Sequence, residues 1–266
     1  MRSRILAFTV LVASCGLLPA AKLPDPPADE IDKIIERFAA KEAEFAQARE
    51  NYTYKQTAKI LEYDDAGNPG GKFEIAEDIV FTNEGKRTER VTWAPANTLR
   101  MIQMSPEDEQ DLRNVMPFVL TSKDRDKYLV RYLGRQMADE IPCYVFAVKP
   151  KRLESGQRYF SGEIWVDDHD LMIVKTYGRA TGLLKKGTDQ QFPKFETYRE
   201  QIDGKYWFPT YTAANSYLHF KDNTVKIRET VKYQDYKQFK SSSTIVYGDT
   251  VNDKNEKKPA EPPKKP

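Results

Sequence analysis

The sequence predicts a mainly β (α+β) protein. Its core would be a single large curved antiparallel sheet forming an incomplete β-barrel, with an N-terminal amphipathic helix and a short lid helix over the concave face. Three observations predict it. The stretch 160–177, FSGEIWVDDHDLMIVKTY, reads as a β-hairpin with 167–170 as its turn, so that Val166 faces Leu171, Ile164 faces Ile173 and Phe160 faces Tyr177. That side is apolar and the other mixed, the pattern of a sheet covered on one face. Nearly every other segment repeats the alternation between clusters of turn residues. The 15 Tyr, 13 Phe and 3 Trp suit strands better than helices.

The helix comes first. Over 24–51, Ile31, Ile34, Ile35, Phe38 and Phe45 recur at helical spacing among charged residues, with Asp25 as a cap and Pro26 at the first helical position. Strands follow at 52–63, 73–82, 87–93 and 98–104. A short helix then opens on Ser105-Pro106-Glu107-Asp108, a capping-box pattern, and exits through an apolar run from Val115 to Leu120. It reads as a lid across one end of the sheet. Strands resume at 128–136, 142–149, 158–166, 171–179, 194–202, 205–212, 216–221 and 224–236. That makes about twelve strands, mostly with short connections, hence antiparallel and in sequence-neighbour order. The loop 64–72 is dense in turn chemistry, and 180–193 is a candidate mobile rim.

The ends carry an address. Arg2 and Arg4 precede an apolar run, and Ala20 and Ala21 then precede Pro-rich sequence, so 1–21 reads as an export signal. Cutting after Ala20 or Ala21 leaves a periplasmic or secreted protein. Val12-Ala13-Ser14-Cys15 is also a possible lipobox, with Cys15 as the lipidated residue of an outer-membrane-anchored lipoprotein. The folded domain spans 22–240, and the Lys- and Pro-rich tail 241–266 reads as disordered.

Chemistry-bearing motifs are few. With 42 Lys plus Arg against 40 Asp plus Glu, charge gives no argument for nucleic acid. No phosphate loop, GxSxG elbow, HExxH or CxxC appears, so no catalytic residue, metal site or cofactor is expected and the protein is not expected to be an enzyme. Asp167-Asp168-His169-Asp170 suits a tight turn better than a metal loop. Cys143 reads as a small buried hydrophobe in a strand, and His219 as a packed or surface strand residue. An outer-membrane barrel is disfavoured, because the last strand alternates Lys226, Arg228 and Lys232 with Glu229 and Asp235 on its two faces.

What remains is the concave face, which helix side chains or an apolar guest must fill. Met101, Met104, Met116, Phe118 and Leu120 gather near the lid, and Met suits a pocket that adapts to varied chains. Ile34 and Phe38 from the helix, with Phe160, Ile164, Val166, Leu171 and Ile173 from the hairpin, complete the candidate lipid-cavity residues.

The export signal, the single amphipathic helix, the lid-interrupted run of strands and the pair CYVFAVKP…FSGEIWVDDHDLMIVKTYG resemble the LolA-like group of bacterial outer-membrane lipoprotein-sorting proteins. The resemblance covers 31–239, and FPKFETYREQIDGKYWFPTYT is similar to members of the same group. It implies an incomplete barrel that binds acyl chains of lipoproteins or another envelope lipid, as a non-enzymatic periplasmic carrier or acceptor meeting a membrane-bound donor or acceptor protein. No functional residue of the carrier maps onto this chain one by one. The alternative is an envelope-anchored scaffold or sensor that uses the same fold without lipid transfer.

Overall fold

The structure is a computed structural model that describes residues 23–239 apart from 65, 83, 84, 185–190 and 222. The expected export signal, Cys15 and the tail beyond 239 lie outside the described residues, as do residues 185–190 of the rim loop. Helix α1 (Ala28–Ala48) leads into strands β1 (Tyr52–Tyr63), β2 (Pro69–Phe81) and β3 (Arg87–Trp93). Helix α2 (Pro106–Asn114) precedes β4 (Tyr128–Ala138), β5 (Ile141–Pro150), β6 (Tyr159–Asp167) and β7 (Ile173–Thr181). The last strands are β8 (Lys194–Ile202), β9 (Tyr206–His219) and β10 (Thr224–Gln238). No helix among the described residues is long and apolar enough to cross a membrane.

Among the described residues the ten strands form one antiparallel sheet in the order β3-β2-β1-β10-β9-β8-β7-β6-β5-β4. It is curved and open, an incomplete barrel with β3 and β4 as its edges. Neighbours in sequence are neighbours in the sheet except β3 and β4, which form its edges, and the two runs are joined where β1 pairs with β10, Tyr52 opposite Gln238 and Tyr63 opposite Lys226. The chain therefore starts inside the sheet, runs out to the β3 edge, and must travel to the far edge before it can meander back. Residues 94–127 make that crossing. Their route over the concave face is a consequence of strand order, and it is why a lid exists.

The crossing and α1 fill the concavity together. Ile34, Ile35, Phe38 and Ala39 join Leu112, Met116, Phe118 and Leu120 in one cluster with Phe146, Phe160, Ile164 and Ile173 from the strands. Phe38 packs at 5.3 Å on Phe146, and Phe118 stacks at 4.5 Å on Phe160. Each such fully buried side chain contributes roughly 1.5–3 kcal/mol.

Four local expectations are corrected. Helix α1 starts at Ala28, not near Asp25, because Pro27 forces the preceding residue into extended backbone, and the Asp25 carboxylate accepts from Tyr132 Oη at 2.7 Å. The hairpin turn is longer than 167–170: Leu171 takes φ +54°, so Ile173, not Leu171, pairs with Val166, and a bulge at Trp165/Val166 leaves Ile164 opposite Thr176 and Phe160 opposite Ala180. Segments 205–212 and 216–221 are one strand, β9, which brings the number to ten with the loss of 98–104. That last segment is no strand because the N–H groups of Arg100, Met101 and Ile102 all donate to the Glu62 carboxylate instead of to a ladder. The capping box of α2 is present as expected: Ser105 Oγ accepts from Asp108 N, and the Asp108 carboxylate accepts from Ser105 N at 2.9 Å.

Candidate functional site

The concavity is not filled at one end. Where β1 ends and β10 begins, a cavity of about 450 Å³ remains between the sheet and the crossing, within the range of about 300 to 1,000 Å³ usual for small-molecule sites. Ile60, Leu218 and Ile227 form its sheet side, Met101, Met104 and Met116 its crossing side, and Phe192, Pro193 and Phe195 its rim.

Buried polar anchors hold these walls. Glu62, fully buried, gathers the N–H groups of Gly71 (2.9 Å), Arg100 (2.7 Å), Met101 (3.0 Å) and Ile102 (3.2 Å) on one carboxylate. Gly71 makes the close approach possible, since a Cβ there would stand 1.9 Å from the Thr98 carbonyl oxygen. At the other end of the crossing, Thr197 Oγ1 donates to the Met116 carbonyl at 2.8 Å and Arg199 donates to the Phe118 carbonyl. Arg199 also pairs with Glu42 of α1 at 3.1 Å, and Glu42 accepts from Ile173 N at 2.9 Å. Helix, crossing and central strands are tied at that point.

The cavity wall also carries acids. Asp108 and Asp111, one helical turn apart on α2, line it together with Glu229 of β10. Glu229 is 4 % exposed and Asp111 7 %. Burial, reinforced by the charges of Asp111 and Asp108, pushes the Glu229 carboxyl up to about 8. Burial likewise pushes Asp111 up to about 7, partly offset by Arg158 and reinforced by Asp108 and Glu107. Arg158 stands 3.5 Å from Asp108 Oδ1 and 3.7 Å from Asp111 Oδ2, with its guanidinium 4.4 Å from the centre of the Phe192 ring. Among the described residues the lining contains no lysine and no arginine.

Of the sequence-derived candidates, Met101, Met104 and Met116 line the cavity. Ile34, Phe38, Phe118, Leu120, Phe160, Ile164, Val166 and Ile173 lie in the packed cluster beneath α1 and the crossing, with Leu171 against its border. Those nine are not in the cavity lining. The sequence reading missed Ile60, Phe195, Leu218 and Ile227, which belong to strands far apart in the chain. It also missed the acids. Glu229 is legible in hindsight, because it interrupts Val225, Ile227, Val231 and Tyr233, an otherwise apolar face at period 2.

Two other groups have structural explanations. Asp167, His169 and Asp170 bring possible ligand atoms within 4.8 Å of one another. The Asp167 carboxylate accepts from the N–H groups of His169 and Asp170, and Asp170 accepts from Trp207 Nε1 at 3.0 Å, so the acids brace the turn. Cys143 is fully buried on the convex face beside Val145, Trp165 and Val174. Burial pushes its thiol up to about 12, the condition of an unreactive core cysteine.

No family model matches the chain, and no curated protein matches it. Among solved structures it is similar to a DUF1329 family protein from Desulfovibrio piger, with 16 % identity, 79 % of this chain and 94 % of that one covered, and a TM-score of 0.41. MucB is similar at 13 % identity over 79 % of this chain and 94 % of that one, with a TM-score of 0.26. At these scores the likenesses carry no argument about ligand or partner, which rests on the cavity alone. A putative outer membrane lipoprotein-sorting protein domain from Vibrio parahaemolyticus, the group that the sequence resembles, is also among the similar structures, at 12 % identity over 76 % of this chain and 92 % of that one, with a TM-score of 0.35.

Proposed function

We propose that this protein is a non-enzymatic carrier or acceptor in the cell envelope that binds the acyl chain of a lipid or lipoprotein in the cavity between the sheet end and the crossing. One observation carries the proposal: about 450 Å³ of space is left beside Met101, Met104 and Met116 in a concavity that is otherwise tightly packed. Three unbranched thioether side chains on the wall adapt to chains of different shape. Each methylene that enters is worth about 0.8 kcal/mol, so a chain of moderate length outweighs the cost of ordering it. The export signal read in the sequence places such a carrier in the periplasm, or on the outer membrane if Cys15 is lipidated.

Native mass spectrometry of protein gently extracted from the envelope tests this. The expected spectrum contains a lipid-sized adduct that denaturation releases. Protein that is consistently empty, and that takes up no lipid from vesicles in vitro, would overturn the proposal.

A further inference from the structure

Glu229 is an unusual wall for an acyl chain. It is 4 % exposed, it lines the cavity, and it has no hydrogen bond or ion pair among the described residues. Its charged neighbours are Asp111 and Asp108, both acids. Asp111 Oδ1 is buried and also has no hydrogen-bond partner. The remaining carboxylate, Asp108, is occupied by the α2 capping box, where it accepts from Ser105 Oγ and Ser105 N. Among the described residues the nearby cation, Arg158, stands behind Asp108 and Asp111 outside the lining, and its Nη1 is itself without a hydrogen bond. A buried acceptor left unmet costs about 1–3 kcal/mol; Asp111 Oδ1 is one, and the Glu229 carboxyl lines the same cavity without a hydrogen-bond partner among the described residues.

We propose that the cavity selects an amphiphile whose head is a hydrogen-bond-donating amine, with Glu229 and Asp111 as its acceptors and the methionine wall around its chain. The inference rests on the carrier reading and adds the chemical class of the head. A fatty-acid carboxylate would bring a negative charge against Asp108 and against two acids that burial and mutual repulsion already hold back from ionising. An alcohol would satisfy one acceptor and leave the charge balance unchanged. An ammonium satisfies both acceptors and offsets the repulsion between them. The raised carboxyls fit this, because an entering alkylammonium, already charged at neutral pH, lets Glu229 release its proton to solvent and leaves a buried carboxylate–ammonium pair.

The test uses the full chain, freed of lipid, with displacement of an environment-sensitive fluorescent probe by dodecylamine, dodecanol or dodecanoate at neutral pH. Dodecylamine is expected to bind at least about tenfold more tightly than dodecanoate, the worth of one charge-assisted hydrogen bond. Glu229→Gln, and separately Asp111→Asn, should reduce that preference about fivefold or more, with a smaller change in dodecanol binding, since an alcohol needs only one acceptor. Circular dichroism confirms that each variant folds, and either one suffices for the test. Ethylamine should not displace the probe; if it does so as well as dodecylamine, the amine is only pairing with surface acids and the inference fails. Equal affinity for amine and alcohol, or tighter binding of the carboxylate, also overturns the amine inference while the carrier reading stands. Failure of all three amphiphiles to bind overturns both.

Discussion

Glu229 holds its proton more tightly in the folded chain than a free glutamic acid does, with its carboxyl raised from 4.5 to about 8 by burial and by two neighbouring acids. Between those values the folded state binds more protons than the unfolded state, so this group makes stability fall as the pH rises through that window. The slope for one such group is at most about 1.4 kcal/mol per pH unit. Glu229→Gln removes the titration, so urea denaturation should show it more stable than wild type near pH 8 and similar near pH 5; parallel pH profiles for the two would refute the assignment. Glu62 is the opposite case, a buried acid fully used by four N–H groups. Glu62→Gln leaves some of those donors unmet, at about 1–3 kcal/mol each. Amide exchange at Arg100, Met101 and Ile102 should therefore speed up about tenfold or more while α1 is unaffected; uniform acceleration over the whole chain would mean a global effect instead. Both acids were visible in the sequence as charges inside apolar runs: Ala58, Ile60, Glu62 on β1 and Ile227, Glu229, Val231 on β10. Glu42 breaks the α1 stripe between Phe38 and Phe45 in the same way. What the sequence could not give is the partner, because whether such an acid is clamped, paired or left open depends on segments up to 157 positions away, as for Glu42 and Arg199.

Between elements, the Glu42–Arg199 pair is the main polar tie, with side chains 0 % and 1 % exposed. It joins α1 to β8, to the β7 backbone through Ile173 N, and to the crossing through the Phe118 carbonyl. Removing one member strands the other charge in a dry core. Glu42→Ala is therefore expected to cost about 3–5 kcal/mol in chemical denaturation. The double variant Glu42→Leu with Arg199→Met should recover most of that loss, since an apolar pair of similar volume avoids the desolvation cost. Recovery will be incomplete, because Ile173 N and the Phe118 carbonyl lose their partners. A double variant no more stable than Glu42→Ala would show that the backbone contacts, not the charges, dominate. Strands and helices were largely legible because period-2 and period-3.6 patterns are local. Register at the 160–177 hairpin was not, because it turns on Leu171 adopting a left-handed backbone that branched residues rarely take. The 98–104 segment misled for a related reason: its alternation resembles a strand, but a side-chain carboxylate supplies its acceptors.

At the scale of the whole molecule, the deciding fact is that the first strand pairs with the last. No local pattern announces it, and from it follow the crossing over the concave face and the gap that the crossing leaves. The cavity is walled by Ile60, by residues of 101–116, by Ala180 with 191–195, and by Leu218 and Phe220 with Ile227 and Glu229, so a guest there touches separate stretches of chain and must bind the assembled fold only. Ligand that binds the folded state alone stabilises it by mass action, about 2.7 kcal/mol at a hundredfold excess over Kd. For a domain of this size each kcal/mol raises Tm by roughly 2–4 °C, so saturating dodecanol should raise it by several degrees. Met104→Trp places a large side chain at the crossing wall and should abolish that rise. Its own Tm without ligand should stay close to wild type, because the added ring occupies space that is already empty. A full ligand-induced shift in Met104→Trp would move the guest out of this cavity, and with it the case that an open end of a filled half-barrel is where this protein works.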